Sequence, residues 1–175
     1  MAARLGAHAV KAAREEPRMM YCARLPSPVG ELTIGADDSG ITAIAFPGEM
    51  PAGDGRANPN PLIREAVRQL RAYFAGRLAS FELPLNPAGT AFQQSVWQAL
   101  LAVPHGATAS YGEIATAVGK PRGARAVGLA NGRNPIAIVV PCHRIIGRDG
   151  SLTGYGGGLD RKRWLLAHEQ RGRPA

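Results

Sequence analysis

Apolar and polar positions alternate in two different rhythms along this chain, and the change between them falls near its midpoint. From residue 21 onward, YCARL, ELTIGA and ITAIAF are short β-rich runs broken by SPVG and DDSG, turn signals built from Ser, Pro, Gly and Asp. They predict three antiparallel strands. Residues 47–60 are rich in Pro, Gly and Asn and read as a loop. Beyond them Leu62, Ala66, Leu70 and Tyr73 with Phe74 recur at helical spacing up to Gly76, which predicts a helix covering one face of the sheet. FELPL at 81–85 is a candidate further strand, and NPAG at 86–89 reads as a linker.

Past the linker the rhythm is helical. Thr90 and Gln93 form a capping box ahead of Phe92, Val96, Trp97, Leu100 and Leu101, and Pro104 ends that helix. Ser110 and Glu113 form a second box, opening YGEIATAVG, which stops at Gly119. After a KPRG turn, ARAVGLAN supplies another short helix before Asn134 and Pro135. Two short helices joined by a tight turn make a helix-turn-helix candidate, and Arg122, Arg125 and Arg133 on the pair favour a polyanionic partner. IAIVVPCHRIIG then reads as a buried extended segment delivering Cys142 and His143 to its end.

Composition narrows the classes. No apolar run approaches the ~20 residues needed to span a bilayer, and the first residues mix Ala, Arg and Glu where an export signal would be unbroken and apolar. A cytoplasmic protein without membrane attachment is expected. Residues 1–18 lack a complete apolar stripe and read as a mobile extension. Cys22 and Cys142 are too few for a disulfide framework and lack zinc-ligand spacing, so no metal or other cofactor is expected. The net charge of +8 is uneven: residues 105–175 hold 11 Lys/Arg against 4 Asp/Glu. Such asymmetry suits nucleic acid, although the same excess would serve solubility, so charge alone does not decide.

The chemistry rests on the Cys142-His143 pair. A thiol is nucleophilic as the thiolate, and its ordinary pKa near ~8.5 must be lowered by a base, a cation or a helix N-terminus. His143 and Arg144 are adjacent in sequence. An isolated Cys-His pair is more often a packed thiol beside a surface imidazole, but here a Pro precedes it and a Gly-rich segment, GYGGG at 154–158, leaves backbone free to approach a ligand.

PCHRIIG, preceded by NGRNPIAIVV and followed by LTGYGGG and KRWLLAHE, resembles the O6-alkylguanine-DNA alkyltransferases. SPVGELT, FQQSVWQAL, SYGEIA and ARAVGLAN fall in that family's order, and the likeness runs from about Tyr21 to Glu169. The resemblance implies a two-domain α+β or α/β chain. Residues 19–86 would form a small antiparallel sheet with a helix, of ribonuclease H-like type, and residues 87–175 a mostly helical winged-helix domain carrying the helix-turn-helix.

It further implies single-turnover transfer of a methyl or larger alkyl group from guanine O6, with alkylated thymine O4 a second substrate left open, to Cys142. His143 would take the thiol proton through a water, Glu169 would hold the imidazole tautomer, and Asn134 would brace the turn before the active-site strand. Arg125 would fill the gap left by a flipped nucleotide, with Tyr111 pressing on its phosphate. Ala126 and Gly128 would allow close approach to a minor groove, and Arg133 would be a further DNA-binding residue. The extruded base would sit near Tyr155, Gly156, Ile145, Pro141 and Asn131. The implied partner is double-stranded DNA bound with little regard to sequence by a monomer, cooperativity along the duplex being open. Gly156 stands where some relatives have Ser, and Asn131 where some have a larger apolar residue. Animal members carry a structural zinc, and because the sequence sets no zinc-spaced Cys or His cluster around Cys22, none is expected here.

Three other readings fit parts of this pattern. A non-catalytic relative that binds alkylated DNA would lack the acceptor Cys. A helix-turn-helix transcription factor would leave Glu169, Tyr155 and GYGGG unexplained. A cysteine hydrolase could use Cys142, His143 and Glu169, and would turn over.

Overall fold

The computed structural model describes residues 4–5, 21–49 and 58–172, and the chain divides into two compact units, Met1–Ala88 and Gly89–Ala175. Most of the segment expected to be a mobile extension, and 50–57 of the expected loop, lie outside the described residues.

In the first unit, β1 (Arg4–Leu5), β2 (Tyr21–Leu25), β3 (Leu32–Ala36), β4 (Ile41–Ala45) and β5 (Pro84–Leu85) form one sheet in the order β1-β5-β4-β3-β2. The expected antiparallel trio is β2, β3 and β4. The sheet extends beyond it, because β5 runs parallel to β4 and β1 parallel to β5. Arg4–Leu5 therefore belongs to the sheet, which departs from the expectation of an extension through residue 18: two residues gain backbone partners that no local pattern announces. The helix α1 (Pro61–Phe74) starts at Asn60, whose side chain accepts from Ile63 N at 2.9 Å, with Pro61 in the first turn. Its inward stripe is Ile63, Ala66, Leu70 and Tyr73, with Leu62 only half-buried. That stripe meets Leu32, Ile34, Ile41 and Ile44 in the unit's core.

The second unit is mainly helical: α2 (Ala91–Leu100), α3 (Tyr111–Ala117), α4 (Ala124–Gly132) and α5 (Leu159–Arg171), with a two-residue parallel pair, β6 (Ala109–Ser110) and β7 (Ile145–Ile146). Both expected capping boxes are present, Thr90 with Gln93 and Ser110 with Glu113. Gly119, at φ 74°, takes the left-handed conformation that turns the chain from α3 toward α4. The buried Trp97 ring donates from Nε1 to the Ala130 carbonyl at 2.9 Å, fastening α2 to α4. No helix among the described residues is long and apolar enough to cross a membrane.

Candidate active site

The segment from Ile136 to Val140 is buried throughout, as its composition suggests, but it is not the expected strand. It folds into a compact turn. Asn134 explains the difference: its Nδ2 donates to Val140 O at 2.8 Å and to Ile136 O at 3.4 Å, while its Oδ1 accepts from Ile136 N at 3.0 Å. One amide thus replaces the partners that a neighbouring strand would have supplied. Val140 N closes on Ile136 O at 3.0 Å, and Ile138 is held at φ 72°, a strained setting for a β-branched residue. An apolar run reports burial, and its hydrogen-bond partners decide its shape.

Cys142, 5% exposed, follows Pro141 on a single 3₁₀ turn, Cys142–Arg144. Its N–H donates to Val140 O at 2.8 Å, and its carbonyl accepts from Asn131 Nδ2 at 3.3 Å. Its Sγ lies 4.0 Å from the Tyr155 hydroxyl. Just beyond, β7 pairs with β6, so the exit of the cysteine turn is tied to the start of α3.

His143 and Glu169 are both fully buried, with His143 Nε2 at 2.7 Å from Glu169 Oε1. Burial opposes ionisation of Glu169, but hydrogen bonds from His143 and Arg144 outweigh it and hold the carboxyl far below its ordinary range. An ionised carboxylate only accepts, so Nε2 carries the proton and Nδ1 keeps its lone pair. Burial lowers the His143 pKa, and the pull of Glu169 only partly offsets this, so the imidazole is neutral near pH 7. Its Nδ1 is buried and has no hydrogen-bond partner among the described residues. The arrangement is a neutral base held in one tautomer beside a thiol.

Three further charged or titratable groups complete the surroundings. Arg144 donates to both Glu169 oxygens, and the Gly106 N–H adds a contact to Oε2 at 3.2 Å. His105 Nδ1 lies 3.9 Å from Glu169 Oε1, its pKa lowered chiefly by burial. Lys162, fully buried, donates from Nζ to the Ile145 and Thr153 carbonyls and sits 5.9 Å above the Tyr155 ring. Burial lowers its pKa, while the Cys142 charge pulls the other way.

The chain matches a family model for the ribonuclease-like domain of 6-O-methylguanine DNA methyltransferase over residues 20–87, and one for the DNA-binding domain of the same protein over 91–171. Methylated-DNA--protein-cysteine methyltransferase of Mycobacterium leprae is 53% identical over 154 residues, covering 87% of this chain and 93% of that protein. The protein of the same name from Methanosarcina acetivorans is 50% identical over 153 residues, covering 86% and 98%. A crystal structure of Mycobacterium tuberculosis OGT in complex with DNA aligns with TM-score 0.79 at 51% identity, covering 89% of this chain and 96% of that one. The chain belongs to the methylated-DNA--protein-cysteine methyltransferase family.

For a methyltransferase of this family, the residues singled out by sequence fall into two groups. Cys142, His143, Glu169, Asn134, Asn131, Pro141, Ile145 and Tyr155 gather around the cysteine turn, all buried or half-buried, with Gly156 at the exposed edge of the glycine-rich segment. Arg125 and Ala126 on α4, and Arg133 at its C-terminal cap, are exposed. Tyr111 lies between: a side chain at Gly128 would stand 3.7 Å from its ring, and its hydroxyl reaches Thr153 O at 3.4 Å. Lys162 and His105 are not legible from sequence, and Arg144 reads there only as a cation beside the thiol. One signal was available: Lys162, Leu165 and Glu169 share a stripe at i, i+3 and i+7 of α5, and all three are buried.

Proposed function

We propose that this methyltransferase repairs duplex DNA by moving an alkyl group from guanine O6 to Cys142, one group per protein molecule. His143 Nδ1 accepts the thiol proton through a bridging water, and the Sγ pair then forms a bond to the alkyl carbon as the carbon–O6 bond breaks. The bonding electrons leave with the guanine, which takes up a proton and is restored. The thioether on Cys142 has no electrophilic carbonyl for water to attack, so the protein is spent. Glu169 acts by keeping the His143 proton on Nε2, and Asn134 by bracing the turn that presents Cys142.

The observation that carries this reading is the buried His143–Glu169 pair next in sequence to the Cys142 thiol, with Nδ1 left as a base among the described residues. A base inside the stack is out of reach of such a thiol, so the nucleotide must be extruded, at a cost of a few kcal/mol that Arg125 offsets by filling the gap and Tyr111 by pressing on the phosphate. The second unit is assigned as a winged helix and the first as a ribonuclease H-like domain. α4 is assigned to the minor groove, where Ala126 and Gly128 permit close approach and Arg133 meets a phosphate. Tyr155, Gly156, Ile145, Pro141 and Asn131 line the pocket for the extruded guanine. The protein acts as a monomer.

Intact-mass measurement after incubation with O6-methylguanine duplex tests the reaction. One added methyl mass per chain, on the peptide holding Cys142, is expected, and Cys142→Ala abolishes it. Turnover beyond one equivalent, or methyl on another residue, overturns the reading.

A further inference from the structure

Leu129 is the one large apolar side chain that is exposed among the described residues, at 65%. α4 buries Val127, Ala130 and Asn131, and it turns Arg125, Ala126, Leu129 and Gly132 outward, with Arg133 exposed at its C-terminal cap. Residues 125 and 129 are four apart on one helix face, and the cap residue Arg133 follows four further on, so Leu129 lies between two exposed arginines in sequence. Arg122, just before the helix, is exposed as well, and α4 contains no Asp or Glu. Around Leu129 the outward or half-buried residues at 126, 128 and 132 are Ala, Gly and Gly. The face is a low platform of small residues with one projecting isobutyl group and guanidinium groups at its margin.

A leucine left in water contributes nothing to the core, and a lone one on a mixed surface calls for no explanation. This one is set apart by its surroundings. A surface with cations at its margin and an apolar projection at its centre complements a partner with anions at its margins and C–H surface between them. The minor groove of duplex DNA has that form, with phosphates along both rims and sugar edges forming walls about 6 Å apart. We propose that Leu129 is an apolar wedge, packing its side chain against the sugar edges of the minor groove beside Arg125 and supplying a part of DNA affinity that salt does not screen. The inference rests on the assignment of α4 to the DNA.

The contributions of Leu129 and of the arginines respond differently to salt. Neutralising a phosphate releases counterions and adds about 0.9 to the slope of log affinity against log salt, whereas burying a leucine leaves that slope unchanged. The probe is a labelled, undamaged duplex short enough for one protein molecule, titrated at several salt concentrations. Leu129→Ala is expected to weaken binding about tenfold by the same factor at every salt concentration, within what burying a leucine side chain supplies. Leu129→Met, similar in volume and apolar, restores most of it. Arg133→Ala instead lowers the slope by about one phosphate. The thermal midpoint of Leu129→Ala stays close to the wild-type value, because the side chain is mostly exposed in the folded chain.

Binding by Leu129→Ala within twofold of wild type, with the Arg133 effect intact, overturns the wedge while leaving α4 on the DNA. A loss carried by a changed salt slope overturns it too, as does a loss seen only on long duplexes, which would assign Leu129 to contacts between protein molecules. If Arg125→Ala and Arg133→Ala change neither affinity nor slope, the assignment of α4 fails and the wedge with it.

Discussion

Arg144 holds the Glu169 carboxylate by both oxygens, with Nε to Oε2 at 2.9 Å and Nη2 to Oε1 at 3.0 Å. Its third contact, from Nη1 to Val103 O at 2.6 Å, ties the carboxylate to the chain just after α2. Both residues are buried, so removing the guanidinium strands a charge in a low-dielectric site. Arg144→Met is expected to destabilise the protein by about 3–5 kcal/mol in urea unfolding. Arg144→Lys, which keeps the charge without the planar fork, should fall between it and wild type. A loss below about 1 kcal/mol for Arg144→Met, the scale of an exposed ion pair, would mean that Glu169 finds other partners.

The neutral His143 base predicts a pH profile for the reaction. With Nε2 committed to Glu169, deprotonation of Cys142 depends on Nδ1. His143→Gln or Glu169→Gln should therefore slow alkylation at neutral pH, and part of the lost rate should return at alkaline pH, where hydroxide forms the thiolate. The measurement is the rate of Cys142 alkylation against pH with free O6-alkylguanine, which keeps DNA binding out of the result. A mutant profile overlaying wild type would assign thiol activation to another group.

The same imidazole predicts how stability responds to acid. Burial depresses the pKa of His143 in the folded protein, while the unfolded chain takes up this proton near pH ~6.5. The unfolded state thus binds more protons over the interval between the two values. Stability is full above about pH 6.5 and falls as pH drops toward the folded value, by at most about 1.4 kcal/mol per pH unit for one proton. His105, lowered in the same direction, adds to this slope. Glu169 acts in a lower window: its depressed pKa gives stability that is present above its ordinary value of 4.5 and is lost as pH falls further. Denaturant unfolding from pH 7 to 5 should show the histidine slope in wild type and a shallower one in His143→Gln. Equal slopes would place the proton uptake elsewhere.

Asn134 should matter to both stability and rate. Its amide makes the three hydrogen bonds that shape the turn before Pro141. Asn134→Ala leaves backbone groups unpaired in a buried segment, at a cost of roughly 1–3 kcal/mol. Asn134→Asp keeps the acceptor for Ile136 N but loses both donated bonds. Alkylation by folded protein should slow in both variants, more than in a control variant of equal stability. Equal rates at equal stability would limit Asn134 to a scaffold role.

Much of the architecture was legible because it rests on local chemistry. Thr90 with Gln93 and Ser110 with Glu113 satisfy the first free N–H groups of their own helices, so these caps can be read from a few adjacent residues. The three antiparallel strands are separated by turn residues that leave few other pairings. Cys142 and His143 stand out in PCHR, whereas Glu169 in LLAHE is a candidate only through the resemblance to the family. The alternation of FELPL, with Phe81, Leu83 and Leu85 buried, was readable as extended chain.

Tertiary structure decided the rest, because those features depend on partners distant in sequence. The pairing of Arg4–Leu5 with Pro84–Leu85 joins segments that share no local signal. The run Ile136–Val140 is equally apolar as strand or turn, and the amide of Asn134 selects the turn. Glu169, 26 positions from His143, could by sequence have been a solvated charge at a helix end. Its exclusion from water and its grip by Arg144 come from packing α5 against the cysteine turn, as does the burial of Lys162. Sequence supplied the reactive groups and the helix caps, whereas burial and long-range hydrogen bonding set the protonation state in which His143 and Glu169 stand beside Cys142.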